Sequence, residues 1–203
     1  MNEAPGFASA SLGRSLTISG VVAGVTLLGI PLSVASPGST ASEFLSSIWT
    51  LSLIPVALGL HGLVRGGANT PSLVALSVGL AGMIFGAGAL LAVVVGRATS
   101  LGIGPVSVVA FALIGVWLVV MSRLCVSARI VPASVGWVGM AAGFGNVAAL
   151  VLVLIGGFPT TTDLSDMSAF SPLTIVGGIF SLLSIPLYAA WAIWAARRLP
   201  RPA

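Results

Sequence analysis

Apolar residues fill six long stretches separated by short turns rich in Gly, Pro, Ser and Thr. A helix rises 1.5 Å per residue, so a stretch of about 20 apolar residues crosses the roughly 30 Å hydrocarbon core of a bilayer. The pattern therefore predicts an all-α, polytopic membrane bundle with six transmembrane helices at about 15–35, 41–64, 71–96, 105–122, 132–157 and 172–196. Residues 1–14 read as a flexible N-terminal segment and 197–203 as a basic tail. The second span shows the type: it enters beside Glu43 and Trp49, carries Pro55 in its middle, and leaves through His61 to Arg65.

The turns carry their own signals. Pro37-Gly38 marks a tight turn, and Ser39, Thr40 or Ser42 can cap the second helix with Glu43 in its first turn. Gly66-Gly67 closes that helix, and Asn69-Thr70-Pro71 starts the third with a capping side chain before a first-turn proline. Residues 99–105 read as a Gly-rich connection, Pro132 opens the fifth span, and 158–171 is the longest link. The first span has two readings. Arg14, an apolar run and Ser33-Val34-Ala35 imitate a secretory signal cleaved after Ala35, whereas the run from 16 to 34 exceeds the 7–15 residues of a signal core and fits a retained span.

Small residues recur at helical spacing. Ala75, Gly79, Gly82 and Gly86 share one face of the third span, as do Gly136, Gly139 and Gly143 on the fifth. Such stripes let two backbones approach closely in a membrane. Gly20 and Gly24 form a shorter pair of the same kind. Pro55 and Pro186 each remove a helix hydrogen bond, freeing the carbonyls of Leu51 and Leu182, and are expected to kink their spans.

Composition sharpens this picture by excluding alternatives. The 203 residues are 57% hydrophobic and 6% charged, which leaves no room for a soluble domain. The net charge of +4 could point to nucleic acid, but the basic residues are all arginines spread over helix ends, so the expected partner is the lipid bilayer and not nucleic acid. Cys125 is the only cysteine, so no intrachain disulfide forms. If the spans alternate, Arg14, Arg65, Arg123, Arg129, Arg197, Arg198 and Arg201 share one side and Arg97 has the other. The arginine-rich side is the cytoplasmic one, which places both termini in the cytoplasm and the protein in the cytoplasmic (inner) membrane. Glu43, Asp163 and Asp166 fall outside. Trp137, Trp191 and Trp194 gather at the inner boundary and Trp49 near the outer one, as expected of rings in the headgroup belt. The tail arginines are expected to lie against the anionic leaflet, at about 1 kcal/mol each.

Candidate chemistry is sparse. His61, one turn inside Arg65, reads either as a proton relay or ligand contact or as an interfacial histidine in reach of headgroups. Asn146 continues the stripe of the fifth span; its amide reads as glue between helices or as a substrate contact. No paired histidines, no lysine beside a serine and no two carboxylates within a span occur, so no catalytic, cofactor or metal-binding residue is assigned and the protein is expected not to be an enzyme.

From Arg129 the chain reads Arg-Ile-Val-Pro132-x-x-x-Gly136-Trp137-x-Gly139-x-x-x-Gly143, and it closes with Pro186-x-x-x-x-Trp191-x-x-Trp194-x-x-Arg197. These motifs and the hydropathy layout resemble a group of bacterial, actinobacterial-type six-span integral membrane proteins known as a domain of unknown function. The resemblance implies the six-span fold and carries over no site residues. Two functions are expected to compete. One is a structural, accessory or regulatory component that acts through helix packing on a membrane-protein partner or a second copy of itself. The other is a small-molecule or ion transporter or channel with a cavity near Pro55, Pro186, His61 and Asn146.

Overall fold

The helix ends follow local chemistry at most of the turns. The computed structural model describes residues 5–35, 40–159 and 170–199. Within them lie five helices and no strand: α1 Pro5–Ala35, α2 Ala41–Val94, α3 Ser100–Ser127, α4 Ala133–Gly156 and α5 Pro172–Arg198. The Pro37-Gly38 turn, Asp163, Asp166 and Arg201 lie outside the described residues. Thr99 caps α3 by accepting from the Gly102 amide at 3.1 Å, and Ser171 caps α5 by accepting from the Thr174 amide at 3.1 Å.

Five helices replace the six expected, because α2 contains two of the apolar stretches in 54 residues. Four helices, α2 to α5, are long and apolar enough to cross a membrane; the apolar part of α1 that qualifies, Ser11–Leu27, is shorter. A straight α2 would run about 80 Å, yet it is folded back on itself. Ala68 departs from helical geometry (φ −150°, ψ 55°) inside it. The His61 imidazole lies 3.0 Å from the Ser72 hydroxyl, a pair that a straight helix holds about 16 Å apart. Glu43 at the start of α2 accepts from Ser100, just past its end, at 2.6 Å. The second and third apolar stretches are thus the two arms of one helical hairpin bent at Ala68. Weak helix formers Gly66 and Gly67 precede the bend, and Pro71, which has no amide to donate, follows it.

Two other boundaries differ from expectation. α1 starts at Pro5, within the segment expected to be flexible, because Leu12 and Leu16, one turn apart, are both buried against the bundle. α3 starts at Ser100, so Gly102, Gly104 and Pro105 form its opening turns and not a loop. Pro55 and Pro186, expected to kink their spans, both lie inside continuous helical segments of α2 and α5.

The helices close into a ring in chain order: α1 packs on α2, α2 on α3, α3 on α4, α4 on α5 and α5 back on α1. Close approach is made at the small residues. A β-carbon on Gly82 would lie 2.6 Å from the Ala110 carbonyl oxygen, and one on Gly86 would lie 3.2 Å from Ala110 Cβ, while Gly79 receives the Trp117 side chain. The α4 stripe meets α3 from its other side, Gly136 at Val126, Gly139 at Ser122, and Gly143 at Gly115 and Val119. Both stripes therefore serve α3. On α1, Gly20 packs on Ala189 and Ala192 of α5, whereas Gly24 has nothing within 4 Å.

Gly13 lies beside Ala196 and Leu199, so the start of α1 and the end of α5 share one end of the ring. The links at 95–99 and 128–132 have the same backbone design. The Gly96 and Arg97 amides bond the Val93 and Ala92 carbonyls at 2.9 and 2.8 Å; the Arg129 and Ile130 amides bond the Val126 and Cys125 carbonyls at 3.0 and 2.9 Å. This is the Schellman helix stop, which needs a left-handed residue just after the helix. Gly96 meets that need at φ 71°, but Arg129 adopts φ 56° with a side chain, at a cost of about 1–2 kcal/mol.

Candidate functional site

The centre of the ring is built from aromatic rings and hydroxyls contributed by every helix but α4, whose small residues make room for them. Trp49 of α2 stacks on Phe111 of α3, with centroids 6.0 Å apart and planes at 20°. Trp49 also meets Tyr188 of α5 at 5.7 Å, and Tyr188 meets Trp191 at 5.6 Å. These separations suit edge-to-face and offset packing, worth about 0.5–1.5 kcal/mol per pair beyond buried area. The row crosses the ring from α3 to α5, two helices with no close backbone approach among the described residues.

Hydroxyls line the same space. Ser19 of α1 and Tyr188 share a hydrogen bond at 2.6 Å, and Ser52 of α2 has two acceptors in reach, Ser19 at 3.1 Å and the Trp49 carbonyl at 2.6 Å. Ser19 and Tyr188 are almost wholly buried. This network ties α1, α2 and α5 together at a depth where lipid offers no partner.

Five further buried polar groups have no hydrogen-bond partner among the described residues: the indole nitrogens of Trp49, Trp117 and Trp191 and the Ser122 and Ser107 hydroxyls. Two of them meet: a β-carbon on Gly139 would touch Ser122 Oγ and lie 2.6 Å from Trp191 Nε1.

The structure does not assemble the residues that the sequence singles out. Pro55 and Pro186 are exposed on their helices. His61 is half-buried near the hairpin bend, bonded to Ser72, which in turn reaches the Asn69 carbonyl at 3.0 Å, so it braces the hairpin. Asn146 is buried on α4, with its Cβ 3.0 Å from where a Gly115 β-carbon would sit. Its amide forms no hydrogen bond among the described residues, and the contact it makes there is packing against Gly115.

The tryptophans are also redistributed. Trp49 and Trp191, read as members of the headgroup belts, are 3% and 1% exposed and belong to the core, together with Trp117 at 0%. Trp137 and Trp194 remain outside at 66% and 40%. Residues that sequence reasoning passed over, Ser19, Ser52, Tyr188 and Ser122, carried a usable signal: each is a polar group within an apolar stretch, and such groups turn inward. In comparisons with known proteins, no family model, no curated protein and no solved structure matches the chain.

Proposed function

We propose that the protein is a non-enzymatic, six-span component of the cytoplasmic membrane with both termini inside, acting as a structural, accessory or regulatory element through its helix faces. The observation that carries this reading is the filled interior of the ring: Trp49, Tyr188 and Trp191 form a row across it and Trp117 is buried between α2 and α3, while large apolar side chains such as Phe85, Leu154 and Ile155 face outward. A ring of this kind offers partners its outer surface. Support for six crossings comes from the hairpin form of α2, whose arms each match one apolar stretch, and from α1, which packs along α2 and α5. Orientation rests on Arg14, Arg65, Arg123, Arg129, Arg197 and Arg198, which belong to the end of the ring holding the α2 bend and the α3–α4 link. The resemblance to six-span bacterial proteins, carried by the Arg129 to Gly143 and Pro186 to Arg197 motifs, agrees with this reading.

A tagged copy extracted in mild detergent is expected to travel with a membrane-protein partner or a second copy of itself; recovery as a lone monomer would sink the scaffold reading. Topology is checked separately. Alkaline phosphatase fused after Ala203 should be inactive and a fluorescent protein there bright, and an active phosphatase would mean an odd number of crossings or inverted insertion. A transporter around Pro55, Pro186, His61 and Asn146 has less support, because two of these face outward and His61 braces a hairpin.

A further inference from the structure

We propose that the arginine-rich end of the ring carries a binding site for the phosphate-bearing headgroup of an anionic glycerophospholipid, held by Arg129 and Arg198. This goes beyond the scaffold reading, since it assigns a ligand to named side chains whatever protein partner the outer faces engage. An open cavity of ≈ 500 Å³ lies between the α3–α4 link and the end of α5, with Arg129, Arg198, Ile130, Pro132 and Ala133 in its wall. That volume falls within the range of ordinary ligand sites.

The electrostatics of the cavity are one-sided. Glu43, the only carboxylate side chain among the described residues, is engaged by Ser42 and Ser100 at the opposite end of the ring. Neither guanidinium has an ion-pair or hydrogen-bond partner among the described residues, so both forks stay open to a phosphate, which arginine binds through two parallel hydrogen bonds. The wall also includes the first turn of α4. The residue before it is Pro132, which makes no side-chain cap, so the positive end of that helix dipole faces the same space.

Two further observations favour a lipid over a soluble anion. Trp137 lies one turn along α4 from Ala133, and Trp194 one turn back along α5 from Arg198; both rings are exposed. An amphipathic ligand with its phosphate on the arginines would lay its glycerol and first methylenes on those rings. Arg129 also occupies the left-handed position that Gly96 fills in the twin link, so the backbone accepts strain to present this particular side chain.

The test uses the full-length protein in a non-ionic detergent, with phosphatidylglycerol or phosphatidylcholine bearing brominated acyl chains as the probes and tryptophan emission as the readout. Brominated phosphatidylglycerol is expected to quench at lower concentration than brominated phosphatidylcholine. Arg129→Gly and Arg198→Gln should each weaken the phosphatidylglycerol response about fivefold, the equivalent of about 1 kcal/mol per arginine. Arg129→Gly keeps the test sound if Arg198→Gln folds poorly, because glycine suits the left-handed position: its thermal stability in lipid-free detergent should hold or rise while lipid preference falls. Equal quenching by the two lipids, or variants that keep the wild-type preference, would overturn the site. Displacement of the brominated lipid by millimolar inorganic phosphate would overturn the assignment to a lipid and leave a soluble oxyanion site.

Discussion

Trp117→Ala is expected to destabilise the protein by about 3 kcal/mol in reversible unfolding from mixed micelles, the low end of the range for a buried tryptophan truncated to alanine. The ring is wholly buried in α3 and rests on Gly79, where a β-carbon would come within 2.8 Å of its Cβ. In a membrane, moving an apolar side chain from protein to lipid yields little free energy, so the transfer part of the usual penalty shrinks. What remains is the cavity, whose walls include a glycine and cannot close by rotating a side chain into the gap. Trp137→Ala is the matched control: that ring is 66% exposed, and its loss should change stability by less than about 0.5 kcal/mol. Equal effects from the two substitutions would mean that Trp117 does not wedge α2 against α3.

The same pair shows which parts of this architecture hydropathy can reveal. Apolar length is a property of the chain alone, and it picked out the four helices, α2 to α5, that are long and apolar enough to cross a membrane. Whether two stretches form separate helices or one folded helix depends on a few backbone angles at residues 66 to 70. Ala68 has no side-chain feature that announces its role. Rotation of a helix about its axis is set by packing, so a tryptophan near a boundary turns outward, as Trp137 does, or inward, as Trp191 does, according to its neighbours. The glycine stripes were legible because their spacing defines a face. That both serve α3 follows from the ring order, which no local pattern encodes.

The central hydroxyl network illustrates a different limit. Ser19, Ser52 and Tyr188 are each visible as polar interruptions, but their convergence requires three helices separated by up to 169 residues to meet at one depth. His61 stands out as the only histidine and Asn146 as a polar group on the stripe of its span. Neither property reports orientation: His61 found its partner across a hairpin, and Asn146 sits where Gly115 leaves space. Arg129 was legible as a charge at a loop, whereas its left-handed backbone emerges only beside the twin link at Gly96.

Gly143→Ala should lower stability by about 1–3 kcal/mol, the usual cost of overpacking a well-filled interface. The sign is not obvious, because alanine is the better helix former by about 1 kcal/mol. The geometry decides it. A methyl group at Gly143 would run into the Gly115 carbonyl oxygen and lie 2.7 Å from Val119 Cγ2 and 3.0 Å from the Val119 amide nitrogen. Side chains can rotate away, but a helix backbone cannot, so α3 and α4 would have to separate along their contact. Gly88→Ala isolates the propensity term, since nothing lies within 4 Å of that position; it should be neutral or stabilising by up to about 1 kcal/mol. Gly115 is reciprocal, as a β-carbon there would lie 2.6 Å from the Gly143 carbonyl oxygen. The double substitution should therefore cost less than the sum of the singles, because the separation forced by one methyl admits the other. Unfolding measured for all four variants in one detergent provides the check. A Gly143→Ala protein as stable as Gly88→Ala would show that the α3 and α4 backbones do not approach as closely as these contacts require.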